Sequence, residues 1–199
     1  AMALKVDPTV LVDLAKKVNP VAVISGTNGK TTTTNLVADC LQTAGVPLYC
    51  NREGNNLQSG IVTSLMLAPD TSKVVDAASA AQAPVGCFEC DEMYTKYVLP
   101  RLRPHYFMLL NLFRDQLDRF GEIDRIQATI AEALAKTPET TFVFNGDDPL
   151  CAAIADRIPN KSLAFGIASD MGLSADRISD SRFCQKCGGA LEYDYVHYG

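Results

Sequence analysis

The sequence contains no apolar run long enough to cross a membrane, no Lys/Arg-rich tract and no signal-peptide pattern. A helical span needs about 20 consecutive apolar residues, so a helical membrane span is excluded. A net charge of −5 and the lack of a basic stretch argue against nucleic acid as the partner. There is no internal repeat and no low-complexity tract. An even set of spaced cysteines is also missing. The seven are Cys40, Cys50, Cys87, Cys90, Cys151, Cys184 and Cys187, mostly inside apolar segments. That argues against a disulfide framework and for reduced thiols in a cytoplasm. Histidine is scarce, and neither His105 nor His197 lies close enough in sequence to Cys40, Cys50, Cys90 or Cys151 to form an evident thiol–imidazole nucleophile pair.

What is present is a chain of 199 residues, 47% hydrophobic and 21% charged, enough for one full domain and a small appendage. Strand and helix signals alternate. Strands are expected over 21–25, 47–50, 85–90, 105–112, 141–144 and 162–165. Helices are expected over 9–18, 30–44, from the mid-fifties to about Leu67, and over 92–99, 122–136 and 149–155. In the helix over 30–44, Leu36, Val37, Cys40, Leu41 and Ala44 form the apolar face. Residues 70–83 carry no clear pattern. Apolar strands separated by helices predict an α/β fold, a mostly parallel sheet with helices on both faces, over residues 1–180.

The most informative segment is Gly26-Thr27-Asn28-Gly29-Lys30-Thr31-Thr32, directly after the apolar run Val21-Ala22-Val23-Ile24. A strand runs into a glycine-turned loop and then a helix. Such a loop brings bare N–H groups and the positive end of a helix dipole to a polyphosphate. Lys30 adds a mobile charge, and the Thr31 hydroxyl can ligate Mg²⁺. The first glycine of the general phosphate-loop pattern would fall at Ile24 and is missing. The bland alternative is a βα turn that merely caps a helix.

Three polar groups follow later strands, where ligands gather in parallel α/β sheets. Phe88-Glu89-Cys90-Asp91-Glu92 offers carboxylates for a cation. A helix start accounts for Asp91 and Glu92 but not for Glu89, which lies in the strand. Asn111 to Glu122 is dense in charge, and a solvated loop is its bland reading. Asn145-Gly146-Asp147-Asp148-Pro149 reads equally as a turn with an Asp cap.

After about Ser179 the character changes. Cys184-x-x-Cys187-Gly resembles half of a zinc knuckle, whereas structural zinc wants four ligands. Cys87-x-x-Cys90 is a poor second half, because positions i and i+3 of a strand point to opposite faces. His197 is a candidate third ligand, and two free surface thiols are the plain alternative.

Together these segments resemble the Mur ligase family of ATP-dependent amide-forming enzymes. Gly26–Thr32 resembles its ATP loop, and Asn145, Asp147 and Asp148 its nucleotide-contacting segment. The Asp115-Gln116 form of the 111–122 segment, with the cysteine turn, resembles one branch of the family. In that branch the synthetase works with a GatD-type glutaminase subunit on lipid II.

The resemblance implies a central ATPase domain over 1–180 and the first half of a zinc ribbon over 181–199, with a carboxy-terminal domain outside this sequence. It implies ATP and Mg²⁺, with Lys30 and Thr31 on phosphate and metal, and Glu89 on Mg²⁺. Gly54, Asn55 and Asn56 would lie near the substrate, and Cys184 and Cys187 would hold structural Zn²⁺. The implied reaction is amidation of the α-carboxylate of D-glutamate in the lipid II stem peptide, through an acyl phosphate and ammonia. An amino-acid-adding ligase, a folylpolyglutamate synthetase-like enzyme and a nucleotide-binding module without turnover are the competing readings.

Overall fold

The computed structural model describes residues 2–68, 83–113, 121–169, 183–184 and 186–192. Six strands form one sheet: β1 (Val21–Ser25), β2 (Leu48–Cys50), β3 (Val85–Glu89), β4 (Tyr106–Leu109), β5 (Thr141–Asn145) and β6 (Ser162–Phe165). The order is β2-β3-β1-β4-β5-β6, and every pairing is parallel. The helices are α1 (Met2–Val6), α2 (Val10–Ala15), α3 (Lys30–Thr43), α4 (Gln58–Leu67), α5 (Thr95–Leu102), α6 (Glu122–Ala135) and α7 (Pro149–Ala155). The expected α/β architecture is present.

One sheet face carries Val21, Val23, Phe88, Phe107, Leu109 and Phe142, all buried against side chains from α2, α4, α5, α6 and α7. Helix α6 shows the pattern behind this. Ile130, Ala133 and Leu134 fall on one stripe and are fully buried. Each large side chain so buried contributes about 1.5–3 kcal/mol. The opposite face holds Ile24 and Cys87, and α3 packs there on β1, β2 and β3. The strand order reverses about β1, which places α3 and α6 on opposite faces and the loops after β1, β3, β4 and β5 at one edge.

Four expectations are corrected. The helix over 9–18 is α2 alone, preceded by α1. Pro20 disfavours helical backbone at Asn19, and buried Val18 leads the chain straight into β1, which shortens the helix. Helix 92–99 is a 3₁₀ turn (Glu92–Tyr94) followed by α5. Thr95 Oγ1 donates to the Glu92 carbonyl and tightens that turn, while buried Leu99 and Leu102 carry the helix through Pro100. Strand β4 stops at Leu109 rather than residue 112, because Asn111 and Leu112 turn away to bind other loops. The apolar face of α3 is also shifted. Thr34 and Ala38 are buried, Val37 and Leu41 are half-buried, and Leu36, Cys40 and Ala44 face outward. The close approach of α3 to the sheet favours small side chains on its inner face.

Candidate functional site

The site is built at the carboxyl edge of β1, β3 and β4. The loop after β1 turns at Gly26, whose φ is +142°. A Cβ there would stand 3.0 Å from Leu110 Cβ and 3.1 Å from the Asn111 nitrogen, so only glycine fits without displacing the segment after β4.

Asn111 clamps the loop. Its Oδ1 accepts the Asn28 N–H at 2.8 Å, and its Nδ2 donates to the Asn28 carbonyl at 3.0 Å. The Asn111 carbonyl accepts from Thr27 N, and Thr27 Oγ1 accepts from Phe113 N. Thr27 and Asn28 are therefore both tied to the segment that follows β4. The first-turn N–H groups of α3, Lys30 to Thr32, have no intrahelical partner and remain for a ligand.

The Lys30 ammonium folds back onto its own loop. It donates to the carbonyls of Gly26 and Thr27, and stands 3.5 Å from the Glu92 carboxylate. Beside it, Thr31 Oγ1 donates to Glu89 Oε2 at 2.7 Å, and Asn56 Nδ2 donates to Glu89 Oε1 at 3.1 Å. The sequence-predicted Mg²⁺ ligands are thus in contact. Neighbouring oxygens of an octahedral Mg²⁺ with bonds of about 2.0–2.1 Å lie about 2.9 Å apart, so this hydroxyl–carboxylate pair fits two adjacent positions with little movement. Glu89 is buried to 2% exposure, which suits a carboxylate meant for a hard cation rather than for water.

The loop after β2 closes onto the same pair. Asn51 Oδ1 accepts from the Glu89 N–H, while its Nδ2 donates to the carbonyls of Glu89 and Asn55. Gly54, at φ +72°, brings its backbone against Thr31, where a Cβ would lie 3.4 Å from the hydroxyl. The expected substrate loop, Gly54 to Asn56, therefore touches the expected metal ligands. A cavity of about 590 Å³ opens on the outer side of this loop. It is lined by Tyr49, Arg52 and Thr63 among others, with Asn51 and Asn55 in its wall.

Asn145 to Asp148 follow β5. Asn145 Oδ1 accepts from Asp147 N, and Asp147 Oδ2 accepts from Ile167 N at 2.7 Å. Asp148 caps α7 through Leu150 N, and its second oxygen accepts Leu112 N at 2.8 Å. Burial pushes its carboxyl upward, against the lowering effect of those two backbone N–H groups. Both Asp148 oxygens are thus engaged by the protein itself, tying the β5 loop to the segment after β4 that clamps Asn28.

The cysteine turn is not part of this cluster. Phe183 and Ala190 form an antiparallel bridge, and Gly188 N donates to the Cys184 carbonyl. The backbone N–H of Cys187, then that of Lys186, hold the Cys184 thiol below its ordinary pKa, as in a turn shaped for a thiolate. Among the described residues no group of three or more His, Cys, Asp or Glu side chains is placed to hold a metal ion. Asp115, Gln116 and His197 lie outside the described residues. His105 uses Nδ1 to accept the Val21 N–H, and Cys90 and Cys151 are buried with thiols pushed up chiefly by desolvation. None of these three matches an activated nucleophile.

Sequence reasoning overlooks three residues. Asn111 reads as one polar residue among many, Glu92 as a helix start, and Asn51 only as the first residue after the expected strand 47–50. Their shared signal is a position just past the end of a strand.

Against this geometry the sequence matches the Mur ligase middle domain over residues 24–194. The chain belongs to the Mur ligase family. It is 34% identical over 199 residues to the MurT subunit of lipid II isoglutaminyl synthase (glutamine-hydrolyzing) of Staphylococcus aureus strain N315, covering 99% of this chain and 43% of that protein. The Streptococcus pneumoniae MurT subunit is 33% identical, with 99% and 42% covered. The UDP-N-acetylmuramoylalanine–D-glutamate ligase of Geotalea daltonii is 29% identical over 168 residues, with 84% and 32% covered. In structure, MurF ligase from Thermotoga maritima in complex with ADP superposes with a TM-score of 0.61 at 20% identity, over 81% of this chain and 37% of that one. This Mur ligase chain therefore spans less than half the length of the MurT proteins it matches.

Proposed function

We propose that this Mur ligase domain is the ATP-binding part of an enzyme that amidates lipid II. In this reading the α-carboxylate of D-glutamate in the stem peptide takes the γ-phosphoryl group of ATP. Ammonia from a GatD-type glutaminase subunit then displaces phosphate from the acyl phosphate. The observation that carries the proposal is the Thr31–Glu89 contact at 2.7 Å beside Lys30, within a chain that resembles MurT along its whole length.

Lys30 supplies a charge-assisted donor to the β- and γ-phosphates, and the α3 N–H groups hold their oxygens. Thr31 and Glu89 are the residues that would hold Mg²⁺, which when bound offsets charge on the transferring phosphoryl group. Asn111 keeps the loop from moving during transfer. Asn145 and Asp147 shape the nucleotide side, and Gly54 to Asn56 the acceptor side. No covalent protein nucleophile is needed. The cytoplasm is the expected place of work, and among the described residues no helix is long and apolar enough to cross a membrane.

The likeness to D-glutamate-adding ligases favours a second reading, in which an amino acid is added. Mass spectrometry of the stem peptide after reaction of the full-length protein with glutaminase, glutamine and ATP separates them. Amidation replaces OH by NH₂ and lowers the mass by about one dalton, the signature of the assigned reaction class. A far larger mass gain supports amino-acid addition, and glutamine-dependent product without the glutaminase refutes the two-subunit account.

A further inference from the structure

We infer that Glu92 is a positioning residue: it holds Lys30 back against its own loop and makes ATP binding depend on the divalent cation. The inference rests on the reading of the 26–32 loop as the phosphate site.

Acidic residues at a helix start ordinarily serve the helix. Here Asp91 has that role, its Oδ1 accepting from Met93 N at 3.0 Å. Glu92 is left over. It is 8% exposed, and its side chain turns to Lys30 rather than to solvent. A carboxylate this deeply buried needs a compensating charge. Lys30 Nζ carries three protons and meets three acceptors: the Gly26 and Thr27 carbonyls and Glu92. To bind a phosphate, Lys30 must give up at least one of them.

Glu92 then faces a polyphosphate of its own sign with its counter-charge withdrawn. The remedy is built nearby, because the Thr31–Glu89 pair that suits Mg²⁺ belongs to the same two segments as Lys30 and Glu92. A cation seated there replaces the positive charge that Lys30 takes away. Glu92 therefore penalises bare ATP more than the cation complex, and favours a loop that closes on the pair together.

The test is a four-cornered binding cycle by calorimetry. ATP affinity is measured in excess Mg²⁺ and in EDTA, for the wild type and for Glu92→Gln. In EDTA the variant should bind ATP at least ~5-fold more tightly than the wild type, and the enhancement by Mg²⁺ should shrink by a similar factor, the low end of ordinary coupling between sites. Glu92→Met removes the charge without leaving a buried amide to satisfy, and carries the same expectation if the Gln variant fails to fold.

Equal shifts with and without Mg²⁺ would show a purely structural residue and overturn the inference, as would no shift at all. Wild-type protein that binds no ATP in either condition overturns the nucleotide reading and this inference together. Normal ATP binding with an unchanged cycle overturns the inference alone.

Discussion

Asn111 grips Asn28 at both its backbone polar groups, accepting its N–H at 2.8 Å and donating to its carbonyl at 3.0 Å. A loop that must present bare N–H groups to an anion cannot brace itself with those groups. The bracing comes instead from the segment just past β4. Asn111→Ala should loosen the loop by about 1–3 kcal/mol, the range for stranding such partners, and weaken ATP binding by about tenfold or more. Calorimetry checks this, and unchanged affinity would show that the clamp is dispensable.

Lys30→Ala should weaken ATP binding by at least ~2 kcal/mol, the scale of a lost charge-assisted phosphate contact. In the same titration Glu89→Gln should raise the Mg²⁺ concentration needed for nucleotide binding. The amide introduced by that substitution still fits between Thr31 and Asn56, so the melting temperature should change little. A large drop in melting temperature with normal Mg²⁺ dependence would mark Glu89 as structural.

Asp148 gives a pH prediction. Its carboxyl is raised above the ordinary aspartate value, mainly by burial. A raised carboxyl binds its proton more tightly in the folded state. Its contribution to stability is full below the unfolded pKa and is lost as pH rises through the folded one. Asp148→Asn cannot ionise, but it gives up one acceptor, that for Leu112 N or that for Leu150 N. The variant should melt below the wild type at about pH 3.5, and the gap should narrow as the pH rises towards about 7. A gap that widens over that interval would contradict the assignment.

The cysteine turn predicts about one zinc per chain in the full-length protein, lost in Cys184→Ser. Elemental analysis decides. Zinc retained in that variant, or held by Cys87 and Cys90, would remove Cys184 and Cys187 as ligands.

The parallel sheet was legible because Val21–Ile24 and its counterparts are apolar on both faces, and such strands have few other fates. That Lys30, Thr31 and Glu89 come together was legible because loops after the strands of a parallel sheet gather at one edge. The face of α3 was not. Periodicity marks Leu36 and Cys40 as readily as Thr34 and Ala38, and only the distance of a helix from its sheet decides which set goes inside. Asn51 and Asn111 were hidden for another reason. Each bonds to a backbone group 38 or more positions away, and no local pattern encodes such a pairing. The role of Asp115 and Gln116 rests on likeness alone, since both lie outside the described residues.

The contact between Gly54 and Thr31 has a mechanical meaning. The loop after β2 is fastened to Glu89 at its main chain by Asn51 and at its carboxylate by Asn56. Loop and carboxylate are therefore joined into one unit anchored at the end of β3. In the proposed reading, a stem peptide resting on the loop and a cation held by the carboxylate would share this one fastening.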